Sequence, residues 1–246
     1  MPHRRPAGDY GTDAPWVPWL WFGFGFAYLV AGAVIAVVGG ELSTVLWFVV
    51  LGALLVAGGA LYVHATRRGK FQVWGELLDD LDGPPPRTVL DIGCGRGAVA
   101  IATALKFPHA QVTGIDLWRS IDQSGNDPSA TTANAQANGV QDRLTLLTAD
   151  MTDLPLPDAT FDLVTASLSI HNVKSADGRR AAVEQAWRCL SPGGRLVIVD
   201  LPRIREYAPV LSALTGHPVT PRGIGWRMWW SGPWMRTQVI TMTKDR

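Results

Sequence analysis

Charge is scarce in this chain. Only 17% of its 246 residues are Asp, Glu, Lys or Arg, and the formal net charge is +1. Without a basic excess there is no electrostatic footprint for a nucleic-acid partner. Cysteine is scarcer still. Cys94 and Cys189 stand far apart with no CxxC pair, so neither a metal site nor a disulfide framework is indicated. Charge is missing altogether from two long runs, Trp16–Val38 and Leu42–Val63. With no ionisable side chain inside either run, nothing marks a transport pathway through them.

Each run is about the length a helix needs to cross ~30 Å of hydrocarbon. Gly39, Gly40 and Glu41 separate them. Arg4 and Arg5 precede the first run, and Arg67, Arg68 and Lys70 follow the second. The positive-inside rule then puts both ends in the cytoplasm and the short turn outside. A cleaved signal peptide is the competing reading, but the first run is too long for an ordinary signal core. Small residues recur every four positions, at Gly23, Ala27 and Ala31 and at Ala53 and Ala57, a pattern of close helix packing in lipid. The expected organisation is a disordered, Pro- and Gly-rich segment over 1–15, a two-span transmembrane hairpin over 16–66, a juxtamembrane helix and linker over 67–87, and a folded domain over 88–246. Phe71, Trp74, Leu77, Leu78 and Leu81 give that helix its apolar face.

The domain is organised around Val89-Leu90-Asp91-Ile92-Gly93-Cys94-Gly95-Arg96-Gly97. An apolar strand runs into a glycine-rich turn and then a helix, whose positive end points at whatever lies over the turn. NAD, FAD and S-adenosylmethionine (SAM) sites all use such a unit. Here the spacing is G-x-G-x-G, not G-x-G-x-x-G, and Asp91 would repel a pyrophosphate and welcome an amino group. Cys94 fits as a small side chain inside the turn. A second strand, Gln111 to Asp116, ends on an acid about twenty residues past the glycines, where a carboxylate can accept both hydroxyls of a ribose.

With these stretches the chain resembles the class I SAM-dependent methyltransferases. Further stretches agree in order: Leu144–Ala149 followed by Asp150-Met151, Phe161-Asp162-Leu163-Val164 as an F-D-x-V strand, and Leu190-Ser191-Pro192-Gly193-Gly194-Arg195-Leu196. The resemblance implies a seven-stranded α/β Rossmann-like fold and SAM as cofactor. Asp91, Gly93, Cys94 and Gly95 would then meet the methionyl end, Asp116 the ribose, Asp150 the adenine amino group and Met151 the ring. Leu117 or Trp118 would cover an adenine face, and Ser167 would offer a backbone carbonyl near the cofactor amino group. His171, at the end of the fourth strand, can take a proton from an acceptor, or else it shapes the pocket or caps the next helix, and Asp200 can face the substrate. The inserted segment from Trp118 to Asn126 reads as a lid or as a plain loop. The tail, Ile224 to Thr243, reads as an antiparallel strand pair turning at Ser231-Gly232-Pro233, its tryptophans facing the bilayer, a substrate slot or the core.

The expected activity is methyl transfer from SAM to a small-molecule acceptor, lipid- or quinone-like in view of the hairpin, by an integral membrane enzyme whose domain faces the cytoplasm. A non-catalytic, membrane-tethered SAM-binding or assembly protein is the alternative. A nicotinamide-dependent oxidoreductase is a third reading, disfavoured by the glycine spacing and Asp91.

Overall fold

Two apolar helices lead the chain. The computed structural model describes residues 5–245. In it α1 (Trp16–Val37) and α2 (Leu42–His64) pack antiparallel across a short turn. Both are long and apolar enough to cross a membrane, by length and composition. They cross on Gly25 and Gly32 against Gly52 and Gly59, where an added Cβ would press on the opposite helix. The expected stripe is therefore displaced. Gly23, Ala27, Ala53 and Ala57 are exposed, and the seam uses pairs seven residues apart, a spacing that keeps returning to one face in left-handed crossings.

Helix α2 does not stop at the domain. A π-helical turn, Ala65–Gly69, carries it into α3 (Lys70–Asp79). Gly69 is needed there, because the carbonyl of Arg227 occupies the space a Cβ would fill.

The domain is a seven-stranded sheet in the order β3-β2-β1-β4-β5-β7-β6. Its strands are β1 (Thr88–Ile92), β2 (Gln111–Asp116), β3 (Leu144–Thr148), β4 (Phe161–Ser167), β5 (Leu190–Asp200), β6 (Arg222–Gly223) and β7 (Gln238–Thr243). Strands β1 to β5 are parallel, and β7 runs antiparallel to β5. This is the expected Rossmann-like methyltransferase sheet. Val89, Leu90, Ile92, Leu163 and Val164 are fully buried, as central strands covered on both faces require. Helix α6 (Ala176–Cys189) and α7 (Ile204–Thr215) cover one face. Helix α3 and α4 (Ala98–Lys106) cover the other, where Tyr62 and Ala65 from the foot of the hairpin join the same core.

Of the expected strand pair in the tail, the second strand forms as β7, while the first is broken up. Strand β6 is two residues long, and Trp226–Met228 and Pro233–Met235 are single 3₁₀ turns. The chain does turn at Ser231 and Gly232, both at positive φ, and Trp229 bridges Arg236 antiparallel across that turn, but Gly225 at φ +84° and the two 3₁₀ turns interrupt the extension on either side.

The N-terminal segment also departs from its reading as disorder. Residues 1–4 lie outside the described residues, but residues 5–15 form a strap across the domain. Tyr10 is 1% exposed. Asn134 of α5 (Pro128–Ala137) accepts from the Asp9 amide and donates to the Asp9 carbonyl, at 2.9 and 2.7 Å. Composition suggested disorder, but these partners lie more than a hundred residues away in sequence.

Candidate active site

The parallel strands end together, and their C-terminal ends surround one cavity of about 640 Å³. It sits where the sheet order reverses between β1 and β4, the position at which open α/β sheets take ligands.

Asp91 lies on β1, between β2 and β4, and is 1% exposed. Its Oδ1 accepts from Thr165 Oγ1 at 2.7 Å and its Oδ2 from the Ala100 amide in the first turn of α4 at 3.0 Å. Burial outweighs these bonds and pushes its pKa up to about 7, with the nearby Asp116 charge adding to the shift. Gly93 turns the chain out of β1 at φ +69°, and Ser169 stands where its Cβ would be. The Gly93 and Cys94 amides both donate to the Ile115 carbonyl, at 2.8 and 2.9 Å. Cys94 is buried, and burial pushes its thiol well up, so it serves the turn as a small side chain rather than as a nucleophile.

Asp116, at the end of β2, closes the loop. Its Oδ2 accepts from the Gly95 amide at 2.8 Å, and its Oδ1 from the Trp118 amide at 2.6 Å and from Asn126 Nδ2 at 3.2 Å. Asp150 follows β3. The Thr152 amide and hydroxyl both donate to its Oδ1 and lower its pKa. Asp91, Gly93, Cys94, Gly95, Asp116, Leu117, Asp150, Met151 and Ser167 all line the cavity. Trp118 does not. Held at φ +58°, it turns its indole away to donate to Thr148 Oγ1 at 2.8 Å.

His171 and Asp200 stand beside the cavity rather than in its wall, which Asn172 reaches instead. Asp200 is 1% exposed and gathers four donors. His171 Nδ1 lies 2.5 Å from its Oδ1, which also takes the Leu201 amide at 2.8 Å. The His171 amide and Tyr207 hydroxyl donate to its Oδ2, at 3.1 and 3.0 Å. Asp200 is therefore engaged by the histidine and its other protein donors and does not line the cavity. Burial alone would lower His171, but the charge and hydrogen bond of Asp200 win and raise it, with help from Asp122. Donation through Nδ1 leaves Nε2 as the acceptor nitrogen.

Several cavity residues were not singled out from the sequence. Gln123 of the inserted segment accepts from the Arg96 amide at 2.9 Å and donates to Tyr10 O and Asp13 Oδ1. The insertion thus covers the glycine turn, and the strap covers the insertion. Asp13 pairs with Lys70 at 2.8 Å, and both line the cavity. Their sequence signal was position alone, since each stands just outside an apolar run. Trp74, read as a packing residue, donates to Ser167 Oγ at 2.8 Å. That bond ties α3 to the end of β4.

The residues present fit SAM. Three carboxylates, Asp91, Asp116 and Asp150, line the cavity beside the glycine turn, and an ammonium, ribose hydroxyls and an amino group are donors that need such acceptors. A dinucleotide pyrophosphate would meet those same charges unfavourably. Among the described residues no cluster of His, Cys, Asp or Glu could hold a metal ion.

Comparison with known proteins agrees with the fold. Residues 90–198 match the family model described as a methyltransferase domain. The chain is 39% identical over 128 residues to 27-O-demethylrifamycin SV methyltransferase of Amycolatopsis mediterranei, covering 50% of this chain and 43% of that one. It is 30% identical over 142 residues to demethylmenaquinone methyltransferase of Porphyromonas gingivalis, covering 57% and 54%. The chain thus spans about half the length of the curated relatives it matches. Geranyl diphosphate C-methyltransferase of Streptomyces coelicolor, solved with Mg2+, geranyl diphosphate and S-adenosyl-L-homocysteine, superposes with a TM-score of 0.53 at 15% identity, over 72% of this chain and 78% of that one. At that identity the likeness concerns the fold.

Proposed function

Because residues 90–198 belong to the methyltransferase-domain family, we propose that this protein moves a methyl group from SAM to a small-molecule acceptor that reaches the cavity from a membrane. The observation that carries the membrane part is the cavity wall itself. Asp13 stands three positions before α1 and Lys70 begins α3 directly after the π-helical turn, and both line the cavity. The cavity wall therefore reaches the foot of the hairpin. Few residues of α1 and α2 are buried, 11% and 17% of their most apolar windows. That leaves a large apolar surface of the kind lipid covers. On this reading the hairpin spans the membrane and the domain sits on the cytoplasmic side, where Arg67, Arg68 and Lys70 follow the second span. The relatives named for a menaquinone precursor and for a rifamycin are consistent with an apolar cyclic acceptor.

Asp91 would hold the methionyl ammonium, Asp116 the ribose hydroxyls and Asp150 the adenine amino group, with Met151 and Leu117 against the ring. When bound, SAM supplies a methyl group already activated by its positive sulfur. The chain's own contribution is alignment and exclusion of water, and alignment alone can supply ~7–11 kcal/mol. The strap and Gln123 close the site from outside. His171, held by Asp200, would take the acceptor's proton on Nε2. Titration of the detergent-purified protein with S-adenosylhomocysteine and with NADH tests the cofactor assignment. Saturable binding of the first alone, weakened in Asp116→Ala, is the expected result. Binding of NADH in its place would sink the assignment.

A further inference from the structure

The tryptophan-rich segment 226–236 contributes nothing to the cavity wall. Its inner side chains are seated: Met228 and Trp230 are buried, and the Trp230 indole donates to Thr237 Oγ1 at 2.9 Å. What it packs against is the hairpin. The Trp226 ring stacks on His64 with centroids 4.9 Å apart, Trp230 meets Tyr62 edge-on at 4.9 Å, and Trp234 stacks on Trp21 at 6.4 Å. The carbonyl of Ser231 abuts Gly58 so closely that an added Cβ would lie 3.2 Å from it. The segment therefore climbs the helix pair from the level of His64 to that of Gly58, about 9 Å at 1.5 Å per residue.

Its outer side chains are left uncovered. Trp226, Trp234 and Met235 are 53%, 63% and 38% exposed. Beside them Arg67 and Arg68 of the π-helical turn and Arg236 are exposed, and among the described residues none has a carboxylate at ion-pair distance. Arg227, in contrast, is held by both carboxylate oxygens of Glu76, at 2.5 and 2.6 Å.

The geometry points to this segment as a second membrane contact, a wedge seated in the anionic headgroup layer of the bilayer that the hairpin crosses. The inference rests on the membrane-spanning reading of α1 and α2. Irregular backbone is not tolerated against open hydrocarbon, so the hydrocarbon must begin beyond the level of Trp21 and Gly58. The stretches left, 22–37 and 42–57, reach about 24 Å each before the turn between them is added, close to the ~30 Å core. Trp226, Trp234 and Met235 then fall in the interfacial layer that tryptophan favours. The arginines lie within reach of anionic headgroups, which attract such charges. Continuity with the hairpin favours lipid over a protein partner, because a partner docked here would have to displace the bilayer edge.

The full chain, reconstituted in nanodiscs of phosphatidylcholine with or without phosphatidylglycerol, tests this. Nitroxide labels are placed through Met235→Cys and, separately, Leu54→Cys. The native thiols Cys94 and Cys189 are buried and stay unlabelled. With phosphatidylglycerol present, the label at 235 is expected to become accessible to oxygen and shielded from an aqueous relaxant. Each of R67Q, R68Q and R236Q should then shift the seated-to-unseated ratio back by roughly fivefold. A water-exposed label at 235 in both discs, with the label at 54 in lipid, would overturn the wedge and leave the hairpin reading standing. Seating that ignores lipid charge and the arginine variants would overturn the anionic assignment. A label at 54 outside lipid would remove the hairpin reading itself.

Discussion

Asp91 is a carboxylate that the fold keeps close to neutral. Its pKa of about 7 lies above the ordinary 3.8, so folding retains a proton that the unfolded chain releases. Stability from this group is full below about pH 4 and is lost as pH rises through about 7. Asp91→Asn does not titrate and keeps the shape. It should therefore gain stability over the wild type as pH rises through that window, read by thermal unfolding at pH 5 and pH 8. Binding runs the other way. A cationic methionyl end needs the carboxylate ionised, so affinity for S-adenosylhomocysteine should rise with pH up to about 7 in the wild type. In Asp91→Asn it should be weak and flat, as calorimetry would show. His171 obeys a different sign. Asp200 raises it, and a base must be neutral, so kcat/KM should climb with pH along a limb above the ordinary histidine value. In Asp200→Asn only Asp122 is left to oppose burial, and that limb should move to lower pH. His171→Ala should lower kcat by about 10²–10⁴-fold, the usual worth of a positioned base.

At the scale of elements, the join between α2, the π-helical turn and α3 fixes where the domain sits under the hairpin. Gly69→Ala would drive a methyl group into the Arg227 carbonyl. A loss of about 1–3 kcal/mol in unfolding free energy is expected, as for other overpacked sites, measured by denaturation in detergent. Trp74→Phe removes the donor to Ser167 and should loosen the β4 end of the cavity, at about 1–3 kcal/mol of stability. The parallel strands were legible in the sequence because a strand buried on both faces leaves an unmistakable apolar run, as Val89 to Ile92 and Phe161 to Ala166 do. Asp116 and Asp150 were legible because each closes or directly follows a strand-like run, and Asp91 because it interrupts one just before the glycines. The tail was not. Its tryptophans have the composition of a strand, and only the positive φ at Gly225 and the 3₁₀ turns at Trp226–Met228 and Pro233–Met235 reduce the first strand to a single bridge. The helix seam was also misplaced, since small residues four apart and seven apart coexist in α1 and α2 and sequence alone does not say which pair meets. The strap of residues 5–15 could not be read, because its order comes from Asn134, Gln123 and Lys70, contacts that exist only once the domain is folded.

For the whole molecule, the cavity and the hairpin are built as one unit. Tyr10, Tyr62, Phe71, Trp74 and Trp230 share a single core, so the domain is not a tethered ball on a loose linker. Asp13 and Lys70 carry that join into the cavity wall. A site so placed suits an acceptor held in the bilayer. The most direct measurement is to incubate the detergent-purified protein with methyl-labelled SAM and a whole-cell extract, then to separate organic from aqueous products. The account predicts label in the organic phase that disappears with Asp116→Ala. Label confined to water-soluble products, or no transfer by a protein that still binds S-adenosylhomocysteine, would contradict it.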